Sequence, residues 1–254
     1  MKQGLKTAVV YSVKPHQLGF CGPKNKNTKK ILSDYLKGKH RNEKEIQKIL
    51  SCFKVVFSYY SLIAKANKLS PFDQKVVESY WIGSHFLDKV KISDLKRLIV
   101  KTFKRPDLAS FLNKFSRPHH SFHVLIVGST SIVLKGKLLD LCRIGYGQIL
   151  KVEKNKLIVK YKPLTSLEIS RSKRLPPCRR QSGSLTGLIV KQKVRLGDCV
   201  KTKIDWNKYI IKEPKVGDWI SFHWKQACQI LTLEQVKNLD YYTKLSIKNA
   251  NTKK

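Results

Sequence analysis

A chain of 254 residues with 41% hydrophobic content can bury a substantial core, as one large domain or two of ordinary size. Its 52 Lys plus Arg against 17 Asp plus Glu give a formal charge of +35, which suits polyanionic partners and salt-dependent binding, although a solvated lysine coat drawn from an A/T-biased coding sequence fits equally. Neither a secretion signal nor a transmembrane helix is expected, because Lys14-Pro15 follows the short run Ala8-Val9-Val10, and the longest apolar stretch, 123–134, falls short of roughly 20 residues and is broken at Gly128.

After an irregular start, the clearest helix covers residues 43–68. There Ile46, Ile49, Leu50, Phe53, Val56, Phe57, Tyr60, Ile63 and Ala64 recur at three- and four-residue steps and make one wide apolar stripe. A second helix is expected to start with Ser70 as N-cap and Pro71 at its first position, and to run through Val76, Val77, Tyr80 and Trp81 toward Leu87. Ser93 and Asp94 open a third, which Pro106 stops before a shorter piece around Phe111. These helices pack as a bundle over residues 1–118.

From residue 119 the period becomes extended. Short β-branched runs at 122–127 and 132–135 predict strands, and the segments 148–152 and 157–161 flank a polar turn as a hairpin would. Further strands are expected at 188–194, 209–211 and 219–224. Several short strands in about a hundred residues suggest a small barrel, which leaves no exposed edge. Thr232 and Gln235 then form a capping box for a closing helix. The fold class is therefore α+β, with the β-module over residues 119–254.

Three groups could carry chemistry. His119, His120 and His123 can converge on a transition metal with Cys142 if a turn, not an extended strand, brings His120 and His123 together; alternatively they cap the end of the bundle. Gly19, Cys21 and Gly22 sit in a tight loop that a ligand could approach, or that simply turns around a buried cysteine. Arg171, Arg174, Arg179 and Arg180 surround Pro176-Pro177 as a basic loop suited to nucleic acid. The six cysteines contain no CxxC pair, which excludes a zinc ribbon and a dithiol redox motif, and they are expected to be reduced thiols in the cytoplasm. Phosphate loops, dinucleotide fingerprints, HExxH helices and nucleophile elbows are absent from the sequence.

A further candidate is a pair of segments. Cys142, Gly147 and Ile149, together with Gly217-Asp218-Trp219, His223 and Ala227, resemble the HypC/HupF hydrogenase maturation chaperones over residues 140–245. That resemblance implies an OB-like β-barrel carrying an iron centre between assembly proteins and a hydrogenase subunit, with Cys142 as the iron ligand and His223 beside it. Across its whole length the chain also resembles a prokaryotic family of unknown function, through Leu-Gly-Phe-Cys-Gly-Pro at 18–23, Phe72-Asp73, Tyr-Trp-Ile-Gly at 80–83 and His-His-Ser-Phe-His at 119–123. That family implies no activity.

The expectation is a metal-handling accessory protein with Cys142, His223, His120, His123 and His119 at the bundle–barrel junction, iron as cargo and a metalloenzyme assembly protein as partner. The alternative is an RNA- or DNA-binding small barrel that stacks bases on Trp219 and Trp224. Catalysis with Cys21 or Cys142 as nucleophile is a third reading that no spacing demands.

Overall fold

The computed structural model describes residues 2–130, 136–167 and 193–252. The start of the chain is helical, not irregular. Helix α1 (Gln3–Gln17) buries Leu5, Ala8, Val9, Tyr11 and Val13 and carries Pro15 near its end. Burial on nearly all sides removes the one-sided stripe by which an amphipathic helix is recognised. Gly4 lets it approach the next layer closely, since a Cβ there would lie 2.2 Å from the Phe72 carbonyl oxygen. Helix α2 (Lys26–Leu36) follows, with the Asn25 side chain accepting from the Asn27 N–H at 2.9 Å.

The stripe expected as one helix belongs to two, α3 (Glu43–Ser51) and α4 (Lys54–Asn67), whose axes bend by 105° at Cys52-Phe53. Ile46, Leu50, Phe53, Val56, Tyr60 and Ile63 are all buried across the bend, so the pattern reports the shared core and not the axis. Helix α5 (Gln74–Trp81) begins later than expected. Asp73, not Ser70, is its N-cap and accepts from the Lys75 N–H at 2.8 Å. Helix α6 (Ile92–Arg97) runs into a π-helical turn, Leu98–Thr102.

The strand expected at 122–127 is helical instead: α7 (His120–Phe122) continues as a π-helical turn, His123–Val127. Phe122, Val124, Leu125 and Ile126 are buried together, and in such a setting a short apolar run has no periodicity that separates strand from helix. The strand expected at 132–135 lies outside the described residues.

Helix α8 (Lys137–Cys142) delivers the chain to the sheet strands β1 (Gly145–Val152), β2 (Lys156–Tyr161), β3 (Leu164–Leu167), β4 (Lys193–Leu196), β5 (Val200–Asp205), β6 (Trp219–His223) and β7 (Gln226–Ile230). Five of them close a barrel in the order β1-β2-β5-β7-β6, while β3 and β4 pair separately. The β1–β2 hairpin falls where the sequence places it. Residues 209–211 form a turn and not a strand, and of the strand expected at 188–194 only Lys193 and Val194 are described. Ile149, Leu157, Val159, Ile204, Ile220 and Phe222 fill the barrel. Helix α9 (Leu233–Asn251) closes the fold with both hydrogen bonds of the Thr232/Gln235 capping box in place. The larger core runs from α1 and α5 through Cys142 and Trp224 to Leu239 and Tyr242 of α9, so the helical part and the barrel meet along a buried, largely apolar seam.

Candidate metal centre

At that seam three elements end. His120 opens α7, Cys142 closes α8 and His223 closes β6. Their ligand atoms all lie within 4.8 Å of one another. A tetrahedral ion with nitrogen and sulfur ligands holds them roughly 3.5 Å apart, so the group, with separations up to 4.8 Å, is within about 1.3 Å of coordination geometry. The sequence expects these residues to face a cleft; they are buried instead, with exposures of 4%, 6% and 2%. The nearby cavity of about 280 Å³ is lined by Gln3, Lys6, Thr7, Gln74 and Cys228 among others, and by none of the three.

Backbone contacts fix the group. The Trp224 N–H donates to the Leu141 carbonyl at 3.0 Å, tying the residue after His223 to the residue before Cys142. Trp224 and Lys225 form the two-residue turn between β6 and β7 with φ of 51° and 61°. Left-handed conformations at two non-glycine residues store strain, a feature that concentrates at functional positions.

His223 is already oriented as a ligand. Its Nδ1 donates to the Tyr11 carbonyl at 2.7 Å, while Nε2 is buried near the Cys142 carbonyl without a well-formed hydrogen bond. The Tyr11 carbonyl is free to accept because the residue four positions on is Pro15, which has no N–H to complete the helical hydrogen bond. His120 donates from Nε2 to the Cys142 carbonyl at 2.8 Å, and its Nδ1 is 3.0 Å from the Tyr80 hydroxyl. Because a tyrosine hydroxyl both donates and accepts, Nε2 can exchange the carbonyl for an ion while Nδ1–H turns to Tyr80.

Aromatic rings wall the site. Trp81 stacks on Tyr11 at 5.0 Å and lies 4.5 Å from His120 and 5.6 Å from His223. Burial lowers His223 to about 4 and drives His120 well down, with His223 and His123 adding to the effect, so both imidazoles are neutral near pH 7 and keep a lone pair. Burial likewise raises the Cys142 thiol, with Cys21 adding to it, so a metal must displace its proton.

The other expected residues divide. His119 is the N-cap of α7, accepting from the Ser121 N–H at 3.2 Å and stacking on Tyr242. His123 turns toward Tyr59, with Nδ1 3.3 Å from its hydroxyl. Neither joins the trio. The loop with Gly19, Cys21 and Gly22 packs against the same core. Trp224, proposed to stack bases, is buried. Arg171, Arg174, Arg179 and Arg180 lie outside the described residues. Sequence reasoning missed the rings of Tyr11 and Trp81 and the anchor beside Cys142. In that anchor buried Arg143 donates to Asp140 at 2.8 Å and to the Lys162 carbonyl at 2.6 Å, and Asp140 also accepts from Tyr161 and the Leu164 N–H.

A family model described as a family of unknown function, DUF6390, matches residues 1–209 and 186–254. The chain belongs to the DUF6390 family. No curated protein and no solved structure matches it. Of the segments singled out in the sequence of this DUF6390 member, Asp73 caps α5, Tyr80 and Trp81 at the end of that helix lie against the His120 ring, and Cys21 of the 18–23 loop packs on the larger core. No single described helix is long and apolar enough to cross a membrane.

Proposed function

We propose that this protein is a metal-handling accessory protein whose centre is His120, Cys142 and His223. The observation that carries the reading is the convergence of one thiol and two imidazoles, brought from three separate elements to within 4.8 Å of one another, with His223 Nε2 buried short of a well-formed hydrogen bond. A thiolate with two neutral imidazoles is a donor set for iron, zinc or cobalt. A buried polar nitrogen without a partner costs about 1–3 kcal/mol, which a bound ion would offset.

The HypC-like resemblance makes an iron fragment for hydrogenase or related metalloenzyme maturation the cargo we favour. Its two matched positions, Cys142 and His223, are two of the three converging residues, and the five-stranded closed barrel suits the OB-like module that the resemblance implies. In that family the cysteine is N-terminal; Cys142 is internal, and His120 supplies a third donor. The five cysteines described are free, as this chemistry needs and a reducing cytoplasm would keep them. The test is anaerobic purification with metal analysis and infrared spectroscopy. Stoichiometric iron that disappears in Cys142→Ala is expected; a protein that holds no metal in either form after anaerobic Fe(II) loading contradicts the proposal.

One observation favours a second reading, nucleic-acid binding. Lys160 and Lys201 are paired directly across β2 and β5 on the outer face of the barrel, beside Lys203 opposite Ile158. Like charges opposite one another are unfavourable without a counterion, and a phosphate backbone would supply one. Affinity for single-stranded RNA or DNA that falls steeply with salt supports it; millimolar affinity at physiological salt ends it.

A further inference from the structure

A second cavity, of about 340 Å³, opens between the end of α2 and the start of α3, and none of its lining residues belongs to the metal centre. Tyr35, Gly38, His40, Arg41 and Glu43 line it. Tyr35 is fully buried, with its hydroxyl making no hydrogen bond, whereas a donor at such depth almost always has an acceptor. Burial, with the Glu43 carboxylate adding to it, pushes Tyr35 up to about 12, so the hydroxyl keeps its proton and has it to donate.

The charges around the cavity decide what can accept it. Glu45 pairs with His40 at 3.0 Å, and Glu43 takes the Lys2 N–H at 2.7 Å, so both nearby carboxylates are engaged within the protein. The loop amides are engaged too: the Gly38 N–H donates to the Tyr35 carbonyl at 3.0 Å, and those of Lys39 and His40 to the Asp34 carbonyl at 2.9 and 3.3 Å. Arg41 makes neither an ion pair nor a side-chain hydrogen bond among the described residues, and it shares its loop with Lys37 and Lys39. A guanidinium fork and a buried hydroxyl donor ask for the same complement, an oxyanion, and the two lysines favour a doubly charged phosphate over a carboxylate. Gly38, at φ of 74° with nothing within 4 Å of where a Cβ would lie, keeps the rim open. The space is larger than a bare phosphate needs.

We infer that this cavity binds a small phosphate monoester, with Arg41 forking onto the phosphate, the Tyr35 hydroxyl donating to a ligand oxygen from the floor, and the organic body filling the remaining space. The site is independent of the metal-binding proposal, and either can fail without the other.

The test titrates the full chain with inorganic phosphate and with phenyl phosphate, at constant ionic strength, and follows its backbone amide NMR signals. Saturable shifts gathered in residues 35–45 are expected, with phenyl phosphate the tighter of the two. Arg41→Gln should weaken phenyl phosphate binding about tenfold, the scale of a charge-assisted hydrogen bond. Tyr35→Phe should weaken it about threefold or more while leaving the melting temperature of the unliganded protein equal or higher, because the hydroxyl it removes is unsatisfied there. Shifts spread over the lysine coat, equal affinity for the two probes, or undiminished binding by Arg41→Gln overturns the site. A Tyr35→Phe protein that melts lower and binds as the wild type does overturns the part given to the hydroxyl. The wild-type comparison of the two probes decides the matter even where a variant misfolds.

Discussion

Pro15 shows how far from a ligand its geometry can be set. By removing one N–H from α1 it frees the Tyr11 carbonyl, which His223 then occupies through Nδ1, leaving Nε2 turned inward. Pro15→Ala restores a competing donor. It should leave thermal stability equal or higher, since proline disfavours helix interiors, while weakening metal affinity about tenfold, the usual scale for losing a partner that orients a ligand. Calorimetric titration beside a thermal melt checks both, and unchanged affinity would show that the carbonyl does not orient the ring. Tyr80→Phe removes the hydroxyl partner of His120 Nδ1 and should cost about 1–3 kcal/mol of stability with a similar drop in affinity. Denaturant unfolding of the metal-free form separates the two effects.

Among the elements, α8 has the most to lose. Its last turn holds Asp140 and its end precedes Arg143, whose side chain is fully buried in the ion pair and bonded to the barrel. Asp140→Ala strands that guanidinium and should destabilise the fold by about 3–5 kcal/mol, read as a lower urea midpoint. A loss under 1 kcal/mol would mean that Arg143 finds water. This pair is local in sequence yet invisible as a motif, because only the tertiary seam makes it buried. The legible elements were those with a one-sided signature: the β1–β2 hairpin, β6 and the capped α9. Helix α1 and the π-helical turn at 123–127 were not legible, because segments buried on all sides lose their period. The same reason divides the site. Cys142 and His223 could be paired through the resemblance and His120 through its neighbours, whereas Trp81 and Tyr11 read as ordinary core aromatics.

For the molecule as a whole, several neutral histidines in one seam make stability depend on pH. His119 is lowered to about 3 and His223 to about 4 by burial, against about 6.5 in the unfolded chain. The unfolded state therefore binds more protons as pH falls. Stability from these groups is complete above about pH 6.5 and declines through the window down to about pH 4 to 3, each group contributing about 1.4 kcal/mol per pH unit. Urea midpoints at pH 7 and pH 5 should fall accordingly, and added salt, which screens the self-repulsion of a +35 chain, should leave this slope in place. Equal midpoints would contradict the burial of neutral imidazoles.

The most direct test of the metal centre is anomalous diffraction from crystals grown anaerobically with Fe(II) or Co(II). A single strong peak within bonding distance of Cys142 Sγ and His223 Nε2, joined by His120, is the predicted result. An empty seam in crystals that carry the ion only at a surface histidine such as His85 would contradict the account.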